Sequence, residues 1–208
     1  MPTISITKPL VAVVEGRDEQ EFFPALIASR GLPDYQIICY EGKDKLRAYL
    51  KALSLTPGFQ FVKGIAIFRD ADDNPEGAAD SVRNALKAAG LPAARAPMTV
   101  ANDQPHTIYC IVPGGGAGGE LEDACNASIA DDGRFGLYTD FVGKFQDHTN
   151  GSLIKLAKVQ VQIHLACQVA GPFTHLGIGA RAGAWPLAHQ AFNPLAEALV
   201  AVAEAASH

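Results

Sequence analysis

Short apolar runs alternate along this chain with segments whose apolar positions recur every three or four residues, and that alternation predicts an α/β fold with a mainly parallel sheet. The run LVAVV at Leu10–Val14 reads as a first strand, closed by Glu15 and Gly16. Asp18 and Glu21 stand at capping-box spacing ahead of a helix whose apolar face is Phe22, Phe23, Leu26 and Ile27. Pro24 removes a backbone donor from that helix and predicts a kink or a shortened first turn, and Gly31 and Pro33 end it. YQIICY at 35–40 is a second strand and KDKLRAYLKAL a second helix. FVKGIAIF at 61–68 is a third strand. The helix after it carries the plainest signals: Asn74 as cap, Pro75 at the first position, Val82 and Leu86 on one face, Gly90 and Pro92 as the stop.

TIYCIV at 107–112 is a fourth strand, followed by the glycine loop PGGGAGG and then ELEDACNASIA, a helix that begins with acids. Beyond Arg134 the periodicity is less regular. Residues 153–169 mix helical spacing with an alternating KVQVQIHL run and are read as helix, 171–181 as loop, and Asn193-Pro194 as the start of an Ala-rich final helix. The expectation is a three-layer architecture: a central sheet of about four or five strands flanked by helices, plus a helical C-terminal segment. Residues 1–132 would form the core and 133–208 a helical extension packed on it.

Composition narrows the function classes. With 208 residues, 48% hydrophobic and 19% charged, the chain has the balance of an ordinary globular domain. A net charge of −5 argues against a broadly basic nucleic-acid surface, so any such contact must be a local patch or run through a metal ion. No stretch approaches the ~18 apolar residues of a membrane span, and the apolar run near the N-terminus is too short for a signal peptide. Cys39, Cys110, Cys125 and Cys167 are widely spaced and read as small core residues of a reduced, cytoplasmic protein. The two glycosylation-type triplets, at Asn126 and Asn150, carry no meaning in that setting.

The chemistry is concentrated in acids at strand ends. IAIFRDADDNPEG (65–77) runs an apolar strand straight into Asp70, Asp72 and Asp73. Glu15 ends the first strand, and Glu120, Glu122 and Asp123 follow the fourth across the glycine loop. In a parallel sheet all three groups share one edge, where ligands of open α/β folds gather. Clustered carboxylates suit a hard cation, Mg²⁺ or Mn²⁺, which would relieve their repulsion and could bridge phosphate oxygens. Asp73 and Asn74 are read as capping residues. Arg17, Lys43 and Lys45, in strand-to-helix loops on the same edge, and Lys155 and Lys158 are candidates for holding phosphate. The six histidines show no metal-ligand spacing; His164 is read as core or helix surface, and Trp185 as a packing anchor.

Competing motifs fare less well on the letters. A calcium loop beginning at Asp70 needs Gly and Glu where Pro75 and Ser81 stand. GGGAGG satisfies the dinucleotide spacing through Gly114, Gly116 and Gly119, but the helix it opens begins with acids that would repel a pyrophosphate. It also lacks the Lys-Ser/Thr ending of a P-loop, so a flexible, acid-presenting loop is the better reading. An apolar run ending in D-x-D also evokes haloacid-dehalogenase-type phosphatases, in which the first Asp is a nucleophile, although Asp73 departs from that motif.

Taken together, VVEGRDEQEF resembles the Glu motif of the TOPRIM domain and IAIFRDADDNPEG its D-x-D motif, in the expected order and separation. The match is closer to the small bacterial TOPRIM-like proteins of the DUF3226 family. The boxes EGRDEQ, EGKDKL (41–46), DADDNPEG and GELED follow one another as in that family, and KLAKVQVQIHLACQ is similar to a further segment of it. The resemblance covers residue 10 to about 168. It implies a Mg²⁺-binding TOPRIM fold in which Glu15 is the proton-transfer residue, Asp70 and Asp72 are metal ligands, and Glu120 or Glu122 supplies a further acid. It also implies action on phosphodiester bonds of DNA or RNA, as a nuclease or nucleotidyl transferase. The chain lacks the ATPase, helicase and tyrosine-bearing domains of the large TOPRIM enzymes, so strand passage is not expected. The alternative is a non-catalytic metal- or nucleotide-binding module, working with a protein partner or as a homo-oligomer.

Overall fold

The computed structural model describes residues 5–149 and 155–208. Four strands, β1 (Leu10–Val14), β2 (Gln36–Cys39), β3 (Gly64–Asp70) and β4 (His106–Val112), pair in the order β2, β1, β3, β4, and every pairing is parallel. The sheet is therefore four-stranded among the described residues, the lower of the expected numbers. Strand side chains alternate between two apolar layers. Ala12, Val14, Ala66, Phe68, Ile108 and Cys110 enter one; Val11, Val13, Ile65, Ile67, Tyr109 and Ile111 enter the other. With both faces covered the strands have no polar side, which is why they read as unbroken apolar runs.

Helix α1 (Arg17–Arg30) packs Phe22, Phe23 and Leu26 into the first layer, while α2 (Leu46–Leu53) and α3 (Pro75–Ala88) close the second. The chain leaves β1 toward β2 with its helix on one face. It then returns across β1 to β3 and continues to β4 with helices on the other face. Strand order thus reverses between β1 and β3, and a crevice opens beyond their carboxyl ends.

The remaining helices are α4 (Leu121–Ser128), α5 (Gly133–His148), α6 (Leu156–Ala166), α7 (Leu176–Arg181) and α8 (Asn193–Ala205). Leu195, Ala198, Leu199 and Val202 of α8 and Leu176 and Ala180 of α7 share the apolar cluster of α1 and the sheet. The Tyr35 hydroxyl donates to the carbonyl of Leu199, fastening α8 beside β2. Trp185 is buried as expected, its indole stacked on the His164 ring with centroids 4.5 Å apart.

Several local expectations change. α1 is capped by Gly16, with no side-chain cap bond, and Asp18 lies inside its first turn; the helix is continuous through Pro24. β3 begins at Gly64, because Phe61 closes a short 3-10 turn and is exposed, and it runs on to include Asp70. Residues 176–181, read as loop, are helical. Gly177 and Gly179 hide this in the sequence because glycine is a poor helix former, yet the bareness of Gly177 lets α7 approach α1 and that of Gly179 lets it approach Leu165 of α6. A Cβ at Gly177 would meet the Asp18 carbonyl oxygen and the Glu21 Cβ at 2.5 Å. Asn74 caps α3, its Oδ1 accepting from the Gly77 N–H at 2.9 Å, whereas Asp73 is exposed. Cys110 and Cys125 are buried, but Cys167 is exposed. Asn150 and the start of the 153–169 segment lie outside the described residues.

Candidate functional site

The crevice between β1 and β3 holds two adjoining cavities of about 480 and 460 Å³, and Glu15, Glu41, Gly42, Asp70 and Lys158 border both. Of the acids and cations singled out from the sequence, Glu15, Arg17, Lys43, Lys45, Asp70, Asp72, Glu120, Glu122, Lys155 and Lys158 line one or both, whereas Asp123 lines neither. Arg17 and Glu122 are in the first; Lys43, Lys45, Asp72 and Glu120 are in the second. Residues far apart in the chain meet here because β1 and β3 are adjacent and parallel, so Glu15 follows the last residue of one strand while Asp70 ends the other.

Each acid is positioned by local structure. Glu15 Oε2 accepts from the hydroxyl of Tyr40 at 3.1 Å, and the Gly42 N–H donates to the Glu15 carbonyl. Asp70 pairs in register with Val112. Beyond it, Asp72 adopts a left-handed backbone (φ 47°), which Asp tolerates better than most residues. That turn makes a two-bond antiparallel bridge to Gly119: the Asp72 N–H donates to the Gly119 carbonyl, and the Gly119 N–H to that of Asp72. The glycine loop is thus tied to the end of β3 and delivers Glu120 to the start of α4. There the Glu120 N–H donates to Asp123 Oδ2 at 2.7 Å. Glycine is required at 119, where φ is +133° and a Cβ would come within 2.7 Å of Asp123 Oδ2.

A further acid, Glu19, belongs to this group and was not anticipated. Its carboxylate folds back over Gly16, where a Cβ would lie 2.6 Å from Oε2, and it lines the first cavity. In the sequence it looks like any first-turn acid favoured by a helix dipole. The available signal was its position four residues after Glu15, in the first turn of the helix that leaves that strand.

The charges are unevenly compensated. Burial pushes Asp70 up to about 8, with repulsion from Glu19, Glu15, Glu122 and Glu120 adding to it. Glu19 is pushed up to about 7, again by burial first and then by Glu122, Glu15 and Asp18. Glu122 is also raised by burial. Burial alone would raise Glu120 too, but hydrogen bonds from Lys155 and Lys158 overcome it and hold Glu120 below its ordinary value. The rim is cationic, and its cations are paired. Arg17 meets Glu41 at 3.2 Å, Lys45 meets Glu41 at 4.0 Å and Lys43 meets Asp72 at 3.1 Å.

An all-oxygen donor set with surplus negative charge fits a hard divalent cation. Among the described residues no three His, Cys, Asp or Glu side chains already stand together as a metal site, so binding would require these carboxylates to turn toward one another.

Fold and site together define a doubly covered parallel α/β protein with an acidic crevice at its switch point. The chain matches the model of a family described as a protein of unknown function, DUF3226, over residues 10–201, and it belongs to that family. No curated protein and no solved structure matches it. No helix among the described residues is long and apolar enough to cross a membrane.

Proposed function

We propose that this protein is a TOPRIM-type, Mg²⁺- or Mn²⁺-dependent enzyme acting on phosphodiester bonds of nucleic acid, as a nuclease or nucleotidyl transferase. The supporting observation is that Glu15 and Asp70, ends of adjacent parallel strands, border the same two cavities with Glu19, Glu120 and Glu122 around them. Asp70 and Asp72, with Glu120 or Glu122, are the residues to hold the cation. When bound, it would supply Lewis-acid stabilisation of charge developing on a phosphate oxygen.

The chain's own groups divide the remaining work. Glu15, oriented by the Tyr40 hydroxyl, is the group to take or return a proton at its carboxylate. Arg17, Lys43, Lys45 and Lys158 surround the acids and can exchange carboxylate partners for phosphate oxygens. Such an exchange is inexpensive where the pairs are exposed, as at Arg17, Lys43 and Lys45. An Asp70 nucleophile of the phosphatase kind is disfavoured, since Asp73 stands where that motif continues with Thr or Val.

The pairing of these rim cations with acids favours a second reading, a binding module that has kept the crevice without turnover. Incubation of the purified protein with single- and double-stranded DNA and RNA, with Mg²⁺ or Mn²⁺ and with EDTA, separates the two. Metal-dependent cleavage or transfer, lost in Asp70→Ala, supports the enzyme. Equal inactivity of wild type and Asp70→Ala at high protein concentration defeats it, and metal binding without turnover then supports the module.

A further inference from the structure

Lys155 and Lys158 occupy the cap and third position of α6, where the partial positive charge of the helix N-terminus disfavours a cation. What compensates them lies on α4. The Lys158 ammonium is 2.9 Å from Glu120 Oε2 and 3.4 Å from Glu122 Oε1, and Lys155 bonds Glu120 Oε1. The two helices do not need these ion pairs to stay together. Asn126 of α4 donates its amide to the Ala157 carbonyl and to Gln160 Oε1, at 3.1 and 3.2 Å. Lys158 is half exposed and stands on the wall common to both cavities, beside Glu15 and Asp70. Its ammonium therefore lies against two of the carboxylates proposed to hold a divalent cation.

We propose that Lys158 is a tethered counter-ion: it neutralises Glu120 and Glu122 in the metal-free protein, and a divalent cation displaces it. The inference rests on the crevice being a metal site, and it adds a competition to that reading. Binding of the ion has to break the Lys158 contacts, so the free lysine and the bound ion appear together. A lysine present only to join α4 to α6 would not respond to metal at all.

The full chain, stripped of metal with EDTA and dialysed, is titrated with Mn²⁺ by electron paramagnetic resonance as wild type, Lys158→Met and Lys158→Arg. Loss of a charge-assisted contact sets the scale, so Lys158→Met is expected to bind Mn²⁺ on the order of tenfold more tightly. Lys158→Arg, which keeps the charge, should stay near wild type. In parallel, wild-type lysines are acylated with and without Mn²⁺ and read by mass spectrometry, with Lys87 in the last turn of α3 as reference. Lys158 labelling is expected to rise severalfold with the metal. This arm needs no variant, so a Lys158→Met protein that fails to fold does not rescue the idea. Equal or weaker Mn²⁺ binding by Lys158→Met beside a wild type that does bind overturns the counter-ion role alone, as does Lys158 labelling that stays flat or falls. No Mn²⁺ binding by any of the three proteins overturns the metal reading, and this inference with it.

Discussion

Tyr40 and Glu15, twenty-five positions apart, are joined by a 3.1 Å hydrogen bond in which the phenol donates to Glu15 Oε2. The Tyr40 ring is buried in the second apolar layer, so the residue that follows β2 fixes the carboxylate of the residue that follows β1. Burial, with Glu15 adding to it, raises the Tyr40 phenol well above its ordinary value, so it remains a donor throughout the working pH range. Tyr40→Phe should therefore lower stability by about 1–2 kcal/mol through the lost charge-assisted bond, measured by urea unfolding. If Glu15 moves protons, the same variant should lower turnover without a matching loss of Mn²⁺ affinity; parallel losses of both would place Tyr40 in the fold rather than the chemistry.

Asp70 and Glu19 predict a pH dependence with a definite sign. Both have folded values above their ordinary ones, 3.8 for Asp70 and 4.5 for Glu19, so the folded state binds protons more tightly than the unfolded chain. Their contribution to metal-free stability falls as pH rises from about 4 to about 8. Thermal unfolding in EDTA at stepped pH should show the midpoint declining across neutral pH, and saturating Mn²⁺ should flatten the decline. A midpoint that rises between pH 6 and 8 in EDTA contradicts the uncompensated cluster.

Asp70→Asn is the complementary case. Removing one buried carboxylate from among four others should raise the neutral-pH unfolding midpoint of the metal-free protein while abolishing Mn²⁺ binding. A gain in stability with a loss of ligand marks a site where structure is strained for function. Calorimetry with and without Mn²⁺ checks both halves.

Gly177→Ala should be costly, because Gly177 is buried where α7 packs on α1. The new methyl would press on the Asp18 carbonyl and Glu21 Cβ, which belong to backbone or sit next to it and cannot swing aside. Overpacking of this kind costs about 1–3 kcal/mol. Because His175 and Leu176 of the same segment wall the first cavity beside Asp18, Mn²⁺ affinity should fall as well. An unchanged unfolding midpoint would mean that α7 is held less closely than described.

Trp185→Ala tests the anchoring of the C-terminal part. The indole is buried, stacked on His164, and its N–H reaches toward the Leu176 carbonyl at 3.5 Å. Truncation should cost about 3–5 kcal/mol, and the Mn²⁺ affinity of whatever protein remains folded should fall because α7 loses its support.

What could be read from the letters was what local chemistry dictates. Apolar runs bounded by turn residues marked β1 and the last strand before the glycine loop. Asn74 and Pro75 marked α3 because capping and a fixed φ act within a few residues. Acids directly after apolar strands located Glu15, Asp70 and Asp72, and with them the crevice edge. The length of β3 was misjudged at both ends, since Phe61 is as apolar as a strand residue yet turns outward, and Asp70 is polar yet still in the ladder. Glu19 was missed because nothing local separates it from an ordinary first-turn acid; only the folding-back over Gly16, into the cavity that Glu15 and Asp70 border, does.

The sequence by itself determined the alternation of strand and helix, the family, and the placing of carboxylates at strand ends, because each depends on side-chain chemistry within one turn or one strand. Only the tertiary structure decided that β1 and β3 are neighbours, that α7 is a helix, that Glu19 joins the cluster, and that Lys158 lies between Glu120 and Glu122. Those outcomes depend on contacts between residues many positions apart. There, packing against α1 outweighs the weak helix propensity of two glycines, and acids on α4 compensate lysines that their own helix disfavours.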